Sequence, residues 1–401
     1  MSTDAMRSEV ATGPAAGGAL TARGMLTQTL AMFVDAYREL NAKKLFWITM
    51  ILSGLVVAAF GAVGFNETGF SIFWKSFDHT FFNTTLLPKE QLYKNLFLTL
   101  GVQTWLGWLA IILALVSTAP MFPDFLSGGA VDLYLARPLG RTRLFLTKYL
   151  VGLLFVAIQV AVFCVASFLV IGLRGGAWVP GLFLAVPVVV LMFSYLWSIC
   201  AFIGTVTRST IAALLLTMLA WFAIFGVDAT EGTLLTFSVG SKVTQELLDE
   251  DIARFQTDIA TLNAKPATTQ PKSIEAMRVR TLEASLQAAR ADRAKTSDPF
   301  ATWHKVAYIA KWPLPKTAET TKLLERWLDR QFRGSRERAE SDPDENTNRS
   351  FFKSQRTQRL TELKVEQILR ERSAVWVIGT SLMFEAAVLA LTTWFFSRRD
   401  Y

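Results

Sequence analysis

Cysteine and histidine are nearly missing: the 401 residues hold 2 of each. Two cysteines exclude a disulfide scaffold. Cys164 and Cys200 both lie inside apolar runs, where a small buried hydrophobe is the expected role. His79 and His304 are too few for a histidine-based metal centre. Charge is scarce as well, at 18% of residues, against about 25% in a soluble domain. The phosphate-cradling G-x-x-x-x-G-K-[ST] loop is missing, as are H-E-x-x-H, Cys-x-x-Cys and G-x-S-x-G. The sequence therefore predicts no enzyme, no catalytic residues, no metal, no resident cofactor and no ATP hydrolysis by the chain itself.

Apolar residues are abundant, at 52%, and the mean hydropathy is +0.33. That excludes disorder, collagen and coiled-coil rods, and predicts membrane spans mixed with polar segments. A bilayer core needs about 20 apolar residues in helix. Six runs qualify: Leu45–Phe65, Leu96–Ala119, Tyr149–Leu173, Leu182–Val206, Ser209–Val227 and Ser373–Ser397. Pro187 falls near the start of the fourth, where neighbouring helices can satisfy the freed carbonyl. The fold class expected is an all-α membrane protein of six transmembrane helices, with a helical extracytoplasmic insertion between helices five and six.

Orientation follows from the short segments. With both ends inside, Arg7, Arg23, Arg38, Lys43, Lys44, Arg137, Arg141, Arg143, Lys148, Arg208, Arg398 and Arg399 are cytoplasmic. Only Lys75, Lys89, Lys94 and Arg174 occupy the short outer loops. Basic residues favour the inner side, so a multi-pass protein of the cell membrane with cytoplasmic N- and C-termini is expected. Parity then puts residues 228–372 outside.

Residues 1–24 are rich in Ala, Gly, Thr and Ser, lack the apolar core of a cleaved signal, and predict a disordered tail. In residues 25–44, Leu26, Leu30, Phe33, Val34, Tyr37 and Leu40 share one helical face. That pattern predicts an amphipathic helix on the inner membrane surface. Residues 66–95 read as an aromatic outer loop hugging the membrane. Within 228–372, helices are expected over Gln245–Asn263, Lys272–Lys295, Thr320–Phe332 and Phe351–Arg372, arranged as antiparallel hairpins with small cores. The last of them is expected to run on into the sixth span. The acidic pairs of this segment read as solvated. Trp303–Pro315 reads as an interfacial segment, with Lys305 and Lys311 snorkelling, and His304 as a surface or interface residue. The insertion is either a spacer or a platform for a substrate or partner. One ionisable residue, Glu385, falls inside a span. A carboxyl there is costly unless neutral or paired, so it either bonds a neighbouring helix or lines a pathway.

The inner loop 120–148 carries the most specific pattern. Ser127-Gly-Gly129 stops one element, Ala130–Ala136 suits a short helix, and Pro138 and Gly140 break it. Gly129, Asp132, Leu133, Leu135, Arg137, Pro138, Arg141, Lys148 and Tyr149 resemble the signature of type 2 ABC exporter permeases, in the branch similar to bacterial copper-enzyme maturation permeases. Thr147 stands where that family often has Gly. The closing Phe396-Ser-Arg-Arg-Asp-Tyr401 resembles the family's basic-Asp-aromatic tail, and Leu314-Pro-Lys316 is similar to some members. The resemblance implies a permease subunit of the bacterial inner membrane. A separate cytosolic ABC ATPase subunit would bind the ATP and dock on a coupling helix including Asp132, Arg137, Pro138, Arg141 and Arg143. A second permease copy, identical or a sister chain, would complete the pathway. Membrane lipids are the other expected partner, and nucleic acid is not expected. Two further readings stay open: a non-transport scaffold or sensor with an extracytoplasmic helical domain, and an ion-coupled carrier using Glu385.

Overall fold

The computed structural model describes residues 30–31, 33–34, 38, 44–65, 69–72, 75–78, 89–127, 140–176, 178–264, 272–332 and 349–398. The chain is an all-α multi-pass membrane protein in its main architecture, and its described residues include six helices long and apolar enough to cross a bilayer. The first is α1, Lys44–Ala62. The second, Leu92–Leu126, is composite. It joins α2 (Lys89–Leu96), a wide-turned helical stretch Phe97–Leu109, α3 (Ala110–Thr118) and α4 (Met121–Ser127). Within the wide stretch, a Cβ on Gly107 would sit 3.1 Å from the Val102 carbonyl five residues back, so glycine suits that turn. The third and fourth spans are α5 (Arg141–Gly175) and α6 (Ala185–Thr207), the latter entered through a tight turn at Pro180–Leu184.

The membrane core is centred on α6, which packs against α5, the fifth span and the sixth. Phe193, Tyr195, Leu196 and Trp197 on α6 are wholly buried. Trp197 stacks on Tyr149 and Phe193, and its indole N–H donates to the Tyr149 carbonyl at 3.1 Å. A Cβ on Gly152 would lie 2.8 Å from that indole. The third and fourth spans therefore approach as closely as they do because residue 152 has no side chain.

Several elements differ from the sequence expectation. The helix of the fifth span does not stop with its apolar run at residue 227; α7 continues unbroken over Thr210–Ala264, 55 residues. No proline interrupts that stretch, and Thr230, Thr233 and Thr236 turn their hydroxyls back onto the carbonyls four residues earlier. The opposite happens before the sixth span. Here α11 (Arg349–Glu371) ends and α12 (Ala374–Arg398) begins anew, rather than the two forming one helix. Arg326 donates to the Arg370 and Arg372 carbonyls, satisfying the end of α11. The Ser373 carbonyl accepts from the Val377 N–H and opens α12. The aromatic segment after the first span contains a three-stranded antiparallel meander, β1 (Val63–Phe65), β2 (Gly69–Ile72) and β3 (Lys75–Asp78). Gly64 pairs with Ser71, and Phe70 with Phe77.

The insertion is helical and only partly built of hairpins with their own cores. It adds α8 (Lys272–Lys295), α9 (Phe300–Lys311) and α10 (Thr317–Phe332). Leu235, Val239, Val243 and Leu247 of α7 pack against Leu360, Val365 and Leu369 of α11. By contrast, α10 buries Leu324 and Leu328 in the membrane core itself, with the Thr321 hydroxyl 3.2 Å from Met192 Sδ on α6. Residues 1–24, 265–271 and 341–348 lie outside the described residues. Of the amphipathic segment 25–44, Leu30, Ala31, Phe33, Val34 and Arg38 are described, all helical.

Gly152→Leu should force Trp197 out of its stack and cost about 1–3 kcal/mol, the usual penalty for overpacking. Gly54→Leu, where a Cβ would meet nothing within 4 Å, should leave stability nearly unchanged. Thermal unfolding of the two variants in detergent checks the contrast.

Candidate functional site

Two polar constellations interrupt the apolar packing. The first surrounds Glu385. The side chain leaves α12 and is 8% exposed. Its Oε1 lies 2.8 Å from the Tyr149 hydroxyl of α5, and its Oε2 lies 2.8 Å from the Ser194 hydroxyl of α6. The Tyr149 hydroxyl also lies 2.9 Å from the Ser194 carbonyl, and the Ser194 hydroxyl 2.8 Å from the Leu191 carbonyl. Each hydroxyl has one hydrogen and two acceptors in reach, so the carboxyl group and a helix carbonyl compete for it. The residue thus joins the third, fourth and sixth spans.

The second constellation was not foreseen and is larger. Asp228 and Glu231 stand three residues apart on α7, on one face just past the fifth apolar run. Glu319 comes from the first turn of α10, Lys311 from the end of α9, and Arg372 from the break before α12. Lys311 Nζ lies 2.8 Å from Asp228 Oδ1, 3.2 Å from Glu231 Oε2 and 2.7 Å from Glu319 Oε1. Arg372 grips Glu231 through both guanidinium amines, Nη2 at 2.5 Å from Oε1 and Nη1 at 3.3 Å from Oε2, and also pairs with Glu319. His304 Nε2 lies 3.2 Å from Glu231 Oε1.

These acids were expected on solvated faces. Instead Asp228, Glu231 and Glu319 are 9%, 1% and 4% exposed. The reason is that α9 folds back antiparallel along α7, with Phe300 stacked on Phe237 at one end. At its other end, Lys311, expected to snorkel, is buried against the carboxylates. Burial alone would lower the Lys311 and Arg372 affinities for their protons. The facing carboxylates outweigh it, so both are held above their ordinary values and stay charged. Lys316 is the contrasting case. It is wholly buried, donates to the Thr380 hydroxyl at 2.7 Å and the Trp312 carbonyl at 3.3 Å, and lies over the Trp376 ring. Burial pulls its proton affinity below the ordinary lysine value.

The arrangement balances three carboxylates against two fixed cations. Asp228 Oδ2 and Glu319 Oε2 are buried without a protein partner. The contacts make one joint that fastens α7, α9, α10 and the start of α12. Among the described residues no group of three His, Cys, Asp or Glu is placed to hold a metal ion. A separate groove of about 590 Å³, lined by Leu262, Ile274, Met277 and Leu282 among others, lies between α7 and α8 at the far end of their hairpin.

Of the residues assigned to ATPase coupling, Asp132, Arg137 and Pro138 lie outside the described residues. Arg141 and Arg143 open α5. Arg141 Nη1 donates to the Ser397 carbonyl at 3.2 Å, tying the start of the third span to the end of the sixth. Sequence reasoning missed the ionic joint because its members are scattered over 145 positions from Asp228 to Arg372. The one local signal was the i, i+3 acidic pair placed directly after an apolar run.

Residues 45–232 match a family model described as a protein of unknown function (DUF2705). The match takes in spans one to five and reaches Asp228 and Glu231, but not Lys311, Arg372 or Glu385. No curated protein and no solved structure matches the chain.

Glu231→Ala should strip the buried Arg372 guanidinium of its two-pronged partner and Lys311 of one of its three carboxylates, and cost about 3–5 kcal/mol. Glu385→Gln keeps an acceptor for Tyr149 and Ser194 and should cost much less. Thermal unfolding of both variants in lipid nanodiscs checks the ranking.

Proposed function

We propose that the chain is the membrane-spanning permease subunit of an ATP-binding-cassette exporter, working with a cytosolic ATPase subunit and a second permease copy. The observation that carries this reading is the Gly129–Tyr149 signature loop, placed between the second and third of six spans. Further support comes from the closing basic-Asp-aromatic tail and from the bond between Arg141 and the Ser397 carbonyl. Nucleotide-driven motion at the loop would reach the third and sixth spans together through that contact. The spans would then shift between pathway states populated according to the nucleotide bound to the partner. In this reading the termini are cytoplasmic, residues 228–372 face outward, and the membrane is the bacterial inner membrane.

Affinity purification from the native host in mild detergent should bring down an ATPase subunit. Arg137→Glu combined with Arg141→Glu should abolish its capture. Failure to recover any ATPase with the unaltered chain contradicts the reading. The topology has its own check. A cysteine at the exposed Gln287 should react with a membrane-impermeant maleimide in intact spheroplasts; protection until lysis would put the insertion inside.

A second reading draws on α7, which runs about 55 Å past residue 228 at 1.5 Å per residue and pairs there with α8. An outward scaffold or sensor would use that stalk. Deleting residues 243–298 should leave ATPase capture intact under the permease reading. Loss of another bound partner with unchanged ATPase capture favours the scaffold.

A further inference from the structure

Among the described residues, one face of α9 has no protein against it. Trp303, Val306, Ile309 and Trp312 recur every third residue and are 64%, 53%, 69% and 56% exposed. Lys305 is the single charged residue on that side; the opposite side carries His304 and Lys311 into the ionic joint. A helix of 12 residues with Trp312 as its C-cap that turns two tryptophans and two aliphatics outward is unusual against water, where exposed apolar surface is normally dispersed.

The level of α9 along α7 identifies what meets this face. Arg208 precedes α7, and Ile211 begins its outward apolar surface, followed by Leu215, Leu219, Phe222 and Phe225. At 1.5 Å per residue, a hydrocarbon layer of about 30 Å counted from Ile211 ends close to Glu231, and the headgroup layer covers roughly the next turn. Helix α9 lies beside this part of α7: Lys311 meets Asp228 and Glu231, and Phe300 meets Phe237. Its Tyr308 stacks on Trp376 at the start of the sixth span, next to Val375, which is 81% exposed. The exposed face therefore continues the apolar belts of spans five and six into the headgroup layer. Tryptophans at its two ends suit that layer, where an aromatic body and a polar N–H are both accommodated.

We propose that α9 is seated in a lipid bilayer, with its Trp303–Val306–Ile309–Trp312 face against the boundary between acyl chains and headgroups, and that it roofs the ionic joint there. The partner is bilayer lipid, and the contact is apolar with little dependence on headgroup charge, since Lys305 is its only cation. This seat does not rest on the permease reading; an ATPase could fail to bind and α9 would still be lipid-covered.

The test places a nitroxide label on single cysteines at Val306 and Ile309, and at Met277 on the distant hairpin, which is 72% exposed. The full chain is reconstituted in phosphatidylcholine nanodiscs. Cys164 and Cys200 are buried, so the parent chain serves as the unlabelled control. All three positions are exposed enough to carry a label without disturbing packing. Labels at 306 and 309 should be relaxed severalfold more by dissolved oxygen than by a water-soluble nickel chelate, and the label at 277 should show the reverse order. Nickel accessibility at 306 and 309 equal to that at 277 would mean water covers the face and overturns the proposal. Exclusion of both reagents together with spin–spin broadening would mean a second copy covers it, and overturns the proposal equally.

Discussion

Arg372 and Lys311 share three buried carboxylates, and that joint holds the insertion on the membrane helices. Burying charge is costly unless the partners are in place. Here they are, with Glu231 held by both guanidinium amines and by the Lys311 ammonium. The five participants come from four places in the fold: Asp228 and Glu231 from the continuation of the fifth span, Lys311 from α9, Glu319 from α10, and Arg372 from the threshold of the sixth span. Every member contacts at least one residue of another element, and Lys311 contacts three, so the elements are locked as a set rather than in pairs.

That constraint explains other features. Helix α7 needs no terminator where it leaves the membrane, because Asp228 and Glu231 find their partners within the protein. The break at Arg372 and Ser373 lets the guanidinium face α7 and α10 while Arg326 takes the carbonyls that α11 leaves open. Helix α10, amphipathic and carrying Glu319 in its first turn, is anchored at that end by the joint and sinks Leu324 and Leu328 between spans. At the other side of the bundle, Tyr149, Ser194 and Glu385 tie the third, fourth and sixth spans through a second, uncharged-donor network. The sixth span is thus held at its start by Arg372, in its length by Glu385, and at its end by Arg141 bonding the Ser397 carbonyl.

Much of the membrane architecture was legible in the sequence, because an uninterrupted apolar run of some 20 residues has few alternatives. All six runs are helical over most of their length, the first giving way to β1 at Val63, and α8 occupies Lys272–Lys295 as its spacing predicts. On α11, Leu360 and Leu369 pack against α7, whereas Leu363 and Ile368 are exposed, a split that the helical spacing alone does not make. The ionic joint was not legible, because charge in a polar segment reads as solvated until the fold brings α9 back onto α7. Nor was the pairing of Tyr149 with Glu385, which spans 236 positions. Glu385 itself stood out as the one carboxyl in an apolar run; which residues would bind it did not. The end of a membrane helix is similarly hard to place, since apolar composition marks where lipid stops and says nothing about where the helix stops.

For the proposed exporter, a rigid outer joint and a nucleotide-responsive inner loop would divide the labour along the sixth span. A double-mutant cycle of Glu231→Gln and Arg372→Gln, read by unfolding in lipid bicelles, tests the joint most directly. The account predicts strong coupling: the double variant should be distinctly more stable than the sum of the two single losses allows, by about 1–3 kcal/mol. Strictly additive losses would contradict it, because they would mean that Glu231 and Arg372 do not depend on each other.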